Sequence, residues 1–190
     1  MKRRTFNASI LSLSTLPTWA TVTDSVYNLQ MTLTNQSGQS ISIDAMRGRP
    51  VIATMFYTSC QMVCPMIVEA IRATEEKLTP SQRDKLAVLM VSFDPDRDTV
   101  EVLKATAEKR GLTAPHWTLA RSDSKSVRRL AAVLGIQYRP TKDGEFNHSS
   151  VILLLDGEGR IKARTNQIAG ADPQLVRHIN HWCKIGRAHV

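Results

Sequence analysis

The stretch Tyr57-Thr58-Ser59-Cys60-Gln61-Met62-Val63-Cys64-Pro65-Met66 decides how the rest of this 190-residue chain is read. It follows an apolar run, Val51 to Tyr57, whose β-branched and aromatic residues suit a buried strand. It precedes Ile67, Ala70, Ile71 and Leu78, spaced as an apolar helical stripe against Glu69, Arg72, Glu75, Glu76 and Lys77. Pro65 fits a first helical turn, where its missing N–H costs nothing. The two cysteines therefore fall at a strand-to-helix junction. The free N–H groups of a helix start favour thiolate, which makes a cysteine there more acidic and more nucleophilic. Residues four apart share a helix face. Such a pair is a dithiol redox couple or part of a site for a soft metal, and the junction alone leaves both open. Two weaker readings are small buried hydrophobes and a stapling disulfide, a habit of smaller secreted domains.

Toward the N-terminus, Leu29–Thr34 and Ser40–Ile43 alternate apolar and polar around Asn35-Gln36-Ser37-Gly38-Gln39, the pattern of a β-hairpin. Residues 46–50 form a turn into the buried strand. Toward the C-terminus, Thr79-Pro80-Ser81 opens a short polar helix, and Leu86–Val91 is a second buried strand. Asp94-Pro95-Asp96-Arg97-Asp98 is a loop, with Asp98 expected to cap the next helix, Glu101 completing a capping box and Gly111 ending it. Trp117–Ala120 is a third strand. Asp123–Leu134 is a helix with Val127, Leu130, Ala131 and Leu134 inward, stopped by Gly135. Residues 146–149 lead as a loop into the apolar strand Ser150–Leu155, which turns at Asp156-Gly157-Glu158-Gly159 into an antiparallel partner, Arg160–Arg164. Asp172 and Pro173 begin a last helix. The order β-α-β-α-β-α-β-β-α implies an α/β protein with a mixed sheet and helices on both faces.

His148, just before an apolar strand, is the third residue of interest. Two thiolates and one imidazole suit a soft, low-coordinate ion, above all copper(I). Zinc usually wants a fourth ligand. Met62 and Met66 flank the cysteines and carry thioether sulfur, although such methionines more often serve packing or partner contact. Asp94, Asp96 and Asp98 lack the glycine and distal glutamate of an EF-hand loop. His178 and His181 share a helix face, but Cys183 falls about 200° round from His181 and does not join them. No phosphate-cradling glycine loop, nucleophile elbow or zinc-protease motif occurs.

The net charge of +8 suggests nucleic acid until the ends are inspected. Lys2, Arg3 and Arg4 precede a mildly apolar stretch with small residues at its end, the layout of an export signal over residues 1–20, of Sec or twin-arginine type. Residues 184–190 have the look of a non-native C-terminal scar. Setting both ends aside takes Lys+Arg from 25 to 20, leaves Asp+Glu at 17 and brings the charge to +3. A nucleic-acid role then loses its support. The polar residues Asn7, Ser9, Ser12, Ser14, Thr15 and Pro17 argue against a membrane span. The remaining residues, 21–183, are expected to form one domain, monomeric and periplasmic.

Three ordered segments carry a family resemblance. Phe56-Tyr57-Thr58-Ser59-Cys60-Gln61-Met62-Val63-Cys64-Pro65 resembles the F-x-Y/F-T-x-C-x-x-x-C-P segment of the SCO/SenC family. Val91-Ser92-Phe93-Asp94-Pro95-Asp96-Arg97-Asp98-Thr99 resembles that family's S-x-D-P-x-R-D-T segment, and His148-Ser149-Ser150, with Asp156 downstream, resembles its H-S/T-x-x-x-x-L/I-x-D stretch. The resemblance implies a thioredoxin-like fold with an extra N-terminal β-hairpin. It implies copper bound through Cys60, Cys64 and His148, and delivery to the binuclear copper site in the copper-site subunit of cytochrome c oxidase or to another copper enzyme. The alternative that it implies is thiol–disulfide exchange upon that site's cysteines, and it implies a place near the site for the loop Asp94–Asp98; a thioredoxin-like reductant is a further expected partner. Gln61-Met62 departs from the family, many of whose members carry Pro-Asp or Pro-Glu there, and removes a negative charge beside the metal. The rival is a thiol–disulfide oxidoreductase in which Cys60 attacks and Cys64 resolves. Its three-residue spacing differs from the two of thioredoxin-type enzymes. A peroxidase is a weaker third reading.

Overall fold

A computed structural model describes residues 24–60 and 62–185. The expected export signal over residues 1–20, residues 186–190 of the expected scar, and Gln61 lie outside the described residues. Seven strands form one mixed sheet. β1 (Thr32–Asn35) and β2 (Ser40–Ser42) are the expected hairpin, β3 (Val51–Phe56), β4 (Ala87–Ser92) and β5 (Trp117–Arg121) run parallel, and β8 (Ile152–Leu155) and β9 (Ile161–Thr165) close the other edge. A separate short hairpin pairs β6 (Tyr138–Pro140) with β7 (Phe146–His148). The order across the large sheet is β2-β1-β5-β4-β3-β8-β9, with β1 antiparallel to β5 and β8 antiparallel to β3.

Every residue of β3, β4 and β8 is buried, as strands at the middle of a covered sheet require. The helices α1 (Val63–Glu76), α2 (Pro80–Lys85), α3 (Val100–Arg110), α4 (Ser124–Leu134) and α5 (Pro173–Ile185) flank it. α1 buries Cys64, Ile67, Val68, Ala70, Ile71 and Thr74. Leu78 is buried too, though it lies past the helix end at Lys77. α4 buries the four residues its spacing predicted and ends at Gly135 in the left-handed conformation. α2 carries a capping box between Thr79 and Gln82. Among the described residues, no helix is long and apolar enough to cross a membrane.

Three local expectations are corrected. Leu29 closes a 3-10 turn, Val26–Leu29, so the hairpin begins at Thr32. The last apolar strand starts at Ile152, and residues 149–151 are its approach. His148 ends a strand of its own, where a loop was expected. The β6–β7 hairpin is short, polar and contains Pro140, so its alternation is too brief to register. Its signal is Asp143-Gly144 between aromatic residues, with Gly144 at φ +81° and the Thr141 N–H donating to the Glu145 carbonyl at 2.8 Å.

Candidate functional site

β3 and β4 pair from Val51 with Ala87 to Phe56 with Ser92, so their carboxyl ends finish level. Residues 57–60 and 93–98 leave from that shared edge, the usual place for a site in an open α/β sheet. β8 runs the other way against β3, pairing Leu155 with Val51 and Leu153 with Ala53. The chain before β8 therefore lies toward the carboxyl end of β3, where β7 ends at His148. The buried Thr54 hydroxyl donates to the Val151 carbonyl at 2.7 Å and holds the approach in place.

Cys60 closes a turn, its N–H donating to the Tyr57 carbonyl at 3.3 Å. The Cys64 N–H, in the first turn of α1, donates to Cys60 Sγ at 3.4 Å, and Cys64 Sγ donates to the Tyr57 carbonyl at 3.4 Å. Both thiols are buried. Burial pushes the Cys60 thiol up, but donation from the Cys64, Met62 and Val63 N–H groups and the neighbouring Cys64 side chain outweigh it, and the net lies below an ordinary thiol. Cys64 goes the other way. Burial pushes its thiol far up, and a thiolate at Cys60 adds to that. The pair is asymmetric, with one thiolate-prone sulfur and one that keeps its proton.

Asp98 is fully buried and does not cap α3. Its carboxylate turns inward and accepts from the Thr58 N–H at 3.1 Å, from the Thr58 hydroxyl, and from the Ser92 hydroxyl at 2.5 Å. The cap falls to Thr99, whose hydroxyl accepts from the Val102 N–H. Burial raises the Asp98 carboxyl above its ordinary range, although those hydrogen bonds oppose the shift. Asp98 thus ties the loop before Cys60 to the end of β4. Asp94, also buried, pairs with Arg97, whose guanidinium lies 5.6 Å from the centre of the Phe146 ring.

His148 sits among aromatic rings. It meets Tyr57 edge-on at 5.7 Å and Phe93 at 5.2 Å, while Phe93 also packs on Tyr57, Phe146 and Tyr138. The Tyr57 hydroxyl donates to Glu145 at 2.7 Å and anchors the hairpin that carries the histidine. The imidazole borders an open groove of about 890 Å³ together with Arg128, Tyr138 and Arg139. Cys64 borders a separate space of about 10 Å³ with Thr58, Met90 and Arg110. All three predicted residues reach one end of the sheet, with Tyr57 between them: its carbonyl meets Cys64 and its ring meets His148. They do not converge. Among the described residues, no three His, Cys, Asp or Glu side chains stand close enough to hold a metal ion. On α5, His178 and His181 are exposed and Cys183 is buried, so the sequence reading that separates them agrees with the helix.

Sequence reasoning missed Phe93 and the inward role of Asp98. Phe93 is visible only as an apolar residue directly after a strand, which says nothing of the ring it will touch. The spacing of Asp98 to Glu101 is that of a helix cap, which hides its inward role.

A sequence model of the SCO1/SenC family matches residues 21–184. The chain is 24% identical over 133 residues to a SCO1 protein homolog of Bacillus subtilis, covering 68% of this chain and 68% of that one. In fold it is similar to Bradyrhizobium japonicum ScoI solved with copper bound, at a TM-score of 0.67 and 23% identity over 80% of this chain and 96% of that one. It is similar also to a SCO1/SenC family lipoprotein from Bacillus anthracis, at a TM-score of 0.70 and 22% identity over 80% and 92% of the two chains. With a thioredoxin-like mixed sheet, a hairpin added at its edge, and a match that spans the whole described domain, the chain belongs to the SCO1/SenC family.

Proposed function

We propose that the chain is an exported copper(I) carrier in which Cys60 and Cys64 supply thiolates and His148 an imidazole. The observation that carries this reading is the Cys60–Cys64 contact at the start of α1, with His148 delivered by β7 to the same end of the sheet. Soft thiolates with one imidazole are a donor set that copper(I) accepts and that leaves room for an incoming ligand. The Bradyrhizobium relative is described with copper bound. Capture of the ion would draw the His148 imidazole at the end of β7 and the two thiolates onto it. Copper would leave by stepwise exchange of its thiolates for those of a recipient. The family points to the binuclear copper site of cytochrome c oxidase as that recipient, and a thioredoxin-like reductant would keep the thiols reduced. Residues 1–20 would direct export to the periplasm, the domain would span 21–183, and residues 184–190 would be foreign to it. The B. anthracis relative, described as a lipoprotein, is consistent with an exported family member.

Titration of the reduced protein with copper(I) against a chromophoric chelator tests this. One equivalent should bind, and His148→Ala should weaken binding by about a hundredfold or more, since losing a ligand costs at least as much as losing a group that supports one. Full affinity in that variant would refute the three-donor site.

A second reading has its own support in the asymmetry of the thiols. Cys60 would attack a partner disulfide as thiolate, forming a mixed disulfide, and Cys64 would resolve it. The partner gains two electrons, Cys60–Cys64 becomes a disulfide, and an external dithiol restores it. Full turnover of a disulfide substrate by His148→Ala without copper would favour this reading over the first.

A further inference from the structure

The chain has seven methionines, and four of the described ones pack inward: Met31, Met55 and Met90 are buried, and Met46 packs half-buried against the core. Met62 and Met66 are 73% and 39% exposed, and both stand within a turn of a site cysteine. Helix propensity does not explain them, since leucine, lysine or glutamine would serve as well. Burial does not explain them either. What distinguishes methionine from those residues is a thioether, a neutral soft donor of the kind that selects copper(I).

The backbone sets the two sulfurs near each other. Met62 is the N-cap of α1 and already has right-handed helical dihedrals, φ −113° and ψ −61°. Four residues on, Met66 lies on the same face, which places the Cβ atoms about 5–6 Å apart. Three rotatable bonds in each side chain allow both sulfurs to meet one ion. Cys64 lies about 200° round the helix from either methionine and faces the core. Cys60 Sγ stands at the helix start, bonded to the Cys64 N–H, between the outer and inner faces.

We infer that Met62 and Met66 form an outer thioether station for copper(I), placed in series with the Cys60–Cys64 thiolates, at which the ion is first received. The station itself does not depend on the copper reading of the cysteines; the passage inward rests on it. In that passage a bond from copper to the Cys60 thiolate forms as a copper–thioether bond breaks, and Cys64 releases its thiol proton to solvent as its sulfur takes the ion and the second thioether leaves. Copper stays monovalent, no electron moves, and the thioether has no proton to lose. Thiolate holds the ion more firmly, so transfer runs inward.

Silver(I), a redox-inert stand-in, tests the station by NMR of protein labelled at the methionine methyl carbons. In the Cys60→Ser/Cys64→Ser chain, the Met62 and Met66 methyl signals should shift together while those of Met31, Met55 and Met90 stay put. Unmoved Met62 and Met66 signals overturn the inference. In the chain with its cysteines, Met62→Leu/Met66→Leu, a shape-conserving change at exposed positions, should slow copper(I) uptake from a bicinchoninate complex by about tenfold, equivalent to about 1.4 kcal/mol. Final stoichiometry should not change. An unaltered uptake rate overturns the inward passage. Silver binding at the methionines in a chain whose cysteines take no copper would sink the carrier reading and keep the station.

Discussion

Asp98 offers a sharp test of how the cysteine loop is held. Its buried carboxylate is the acceptor for the Thr58 N–H and for two hydroxyls, those of Thr58 and Ser92. Asp98→Ala removes all three acceptor contacts and adds nothing to replace them. The hydroxyls can turn to other partners, but the Thr58 N–H points inward and is left without an acceptor. One stranded buried donor costs about 1–3 kcal/mol, and the loss of charge-assisted bonds adds a similar amount, so the variant should lose about 3 kcal/mol. For a domain of this size that is a fall in Tm of roughly 6–12 °C. Asp98→Asn keeps one acceptor oxygen and should lose only about 1 kcal/mol. The pH dependence has a definite sign. Burial raises the Asp98 carboxyl in the folded state, so the stability linked to its protonation is complete below the unfolded carboxyl range and is lost as pH rises through the folded value. The advantage of the wild-type chain over Asp98→Asn should therefore shrink as pH rises from about 4. Urea denaturation at several pH values measures both. An Asp98→Ala variant within about 0.5 kcal/mol of wild type, as for a surface change, would refute the reasoning, as would an advantage over Asp98→Asn that grows with pH.

The asymmetry of the thiols predicts that a small alkylating reagent modifies Cys60 first. The rate should rise through a pH midpoint below that of an ordinary thiol, while Cys64 reacts only in more alkaline solution, as peptide mass spectrometry would report; equal rates at the two sites would contradict it. Phe93→Ala empties the centre of the ring cluster around His148 and should cost about 3–5 kcal/mol, with the His148 ring signals shifting in the NMR spectrum. Gly159 sits at φ +76°, where an added Cβ would stand 2.6 Å from the Tyr27 ring. Gly159→Ala should therefore lose about 2 kcal/mol or more in chemical denaturation.

Much of this protein is legible from local pattern. Val51–Phe56 is a strand because its residues are apolar and β-favouring throughout, and α1 follows because Ile67, Ala70 and Ile71 repeat at helical spacing. The cysteines' place at that junction, and hence the acidity of Cys60, follows from the same few residues. Gly135 ends α4 and Asp123 caps it, as short-range chemistry requires. Local pattern fails where a side chain answers to a distant partner. Asp98 has the spacing of a cap, yet its carboxylate meets Thr58, forty positions earlier, because β3 and β4 end side by side. The β6–β7 hairpin is only three residues a side, and it holds its shape against Tyr57 and Phe93 more than through its own alternation.

Short-range pattern is enough for the strands of the large sheet, most helix ends and the Cys60–Cys64 pair, whose signals lie within a few neighbouring residues. Only tertiary packing brings His148 beside Tyr57 and Phe93 and turns Asp98 inward to brace the cysteine loop. The first depends on the antiparallel register of β8 against β3, whose paired residues are about a hundred positions apart, and the second on the level ends of β3 and β4; such registers are set only when the sheet assembles and buries its strands.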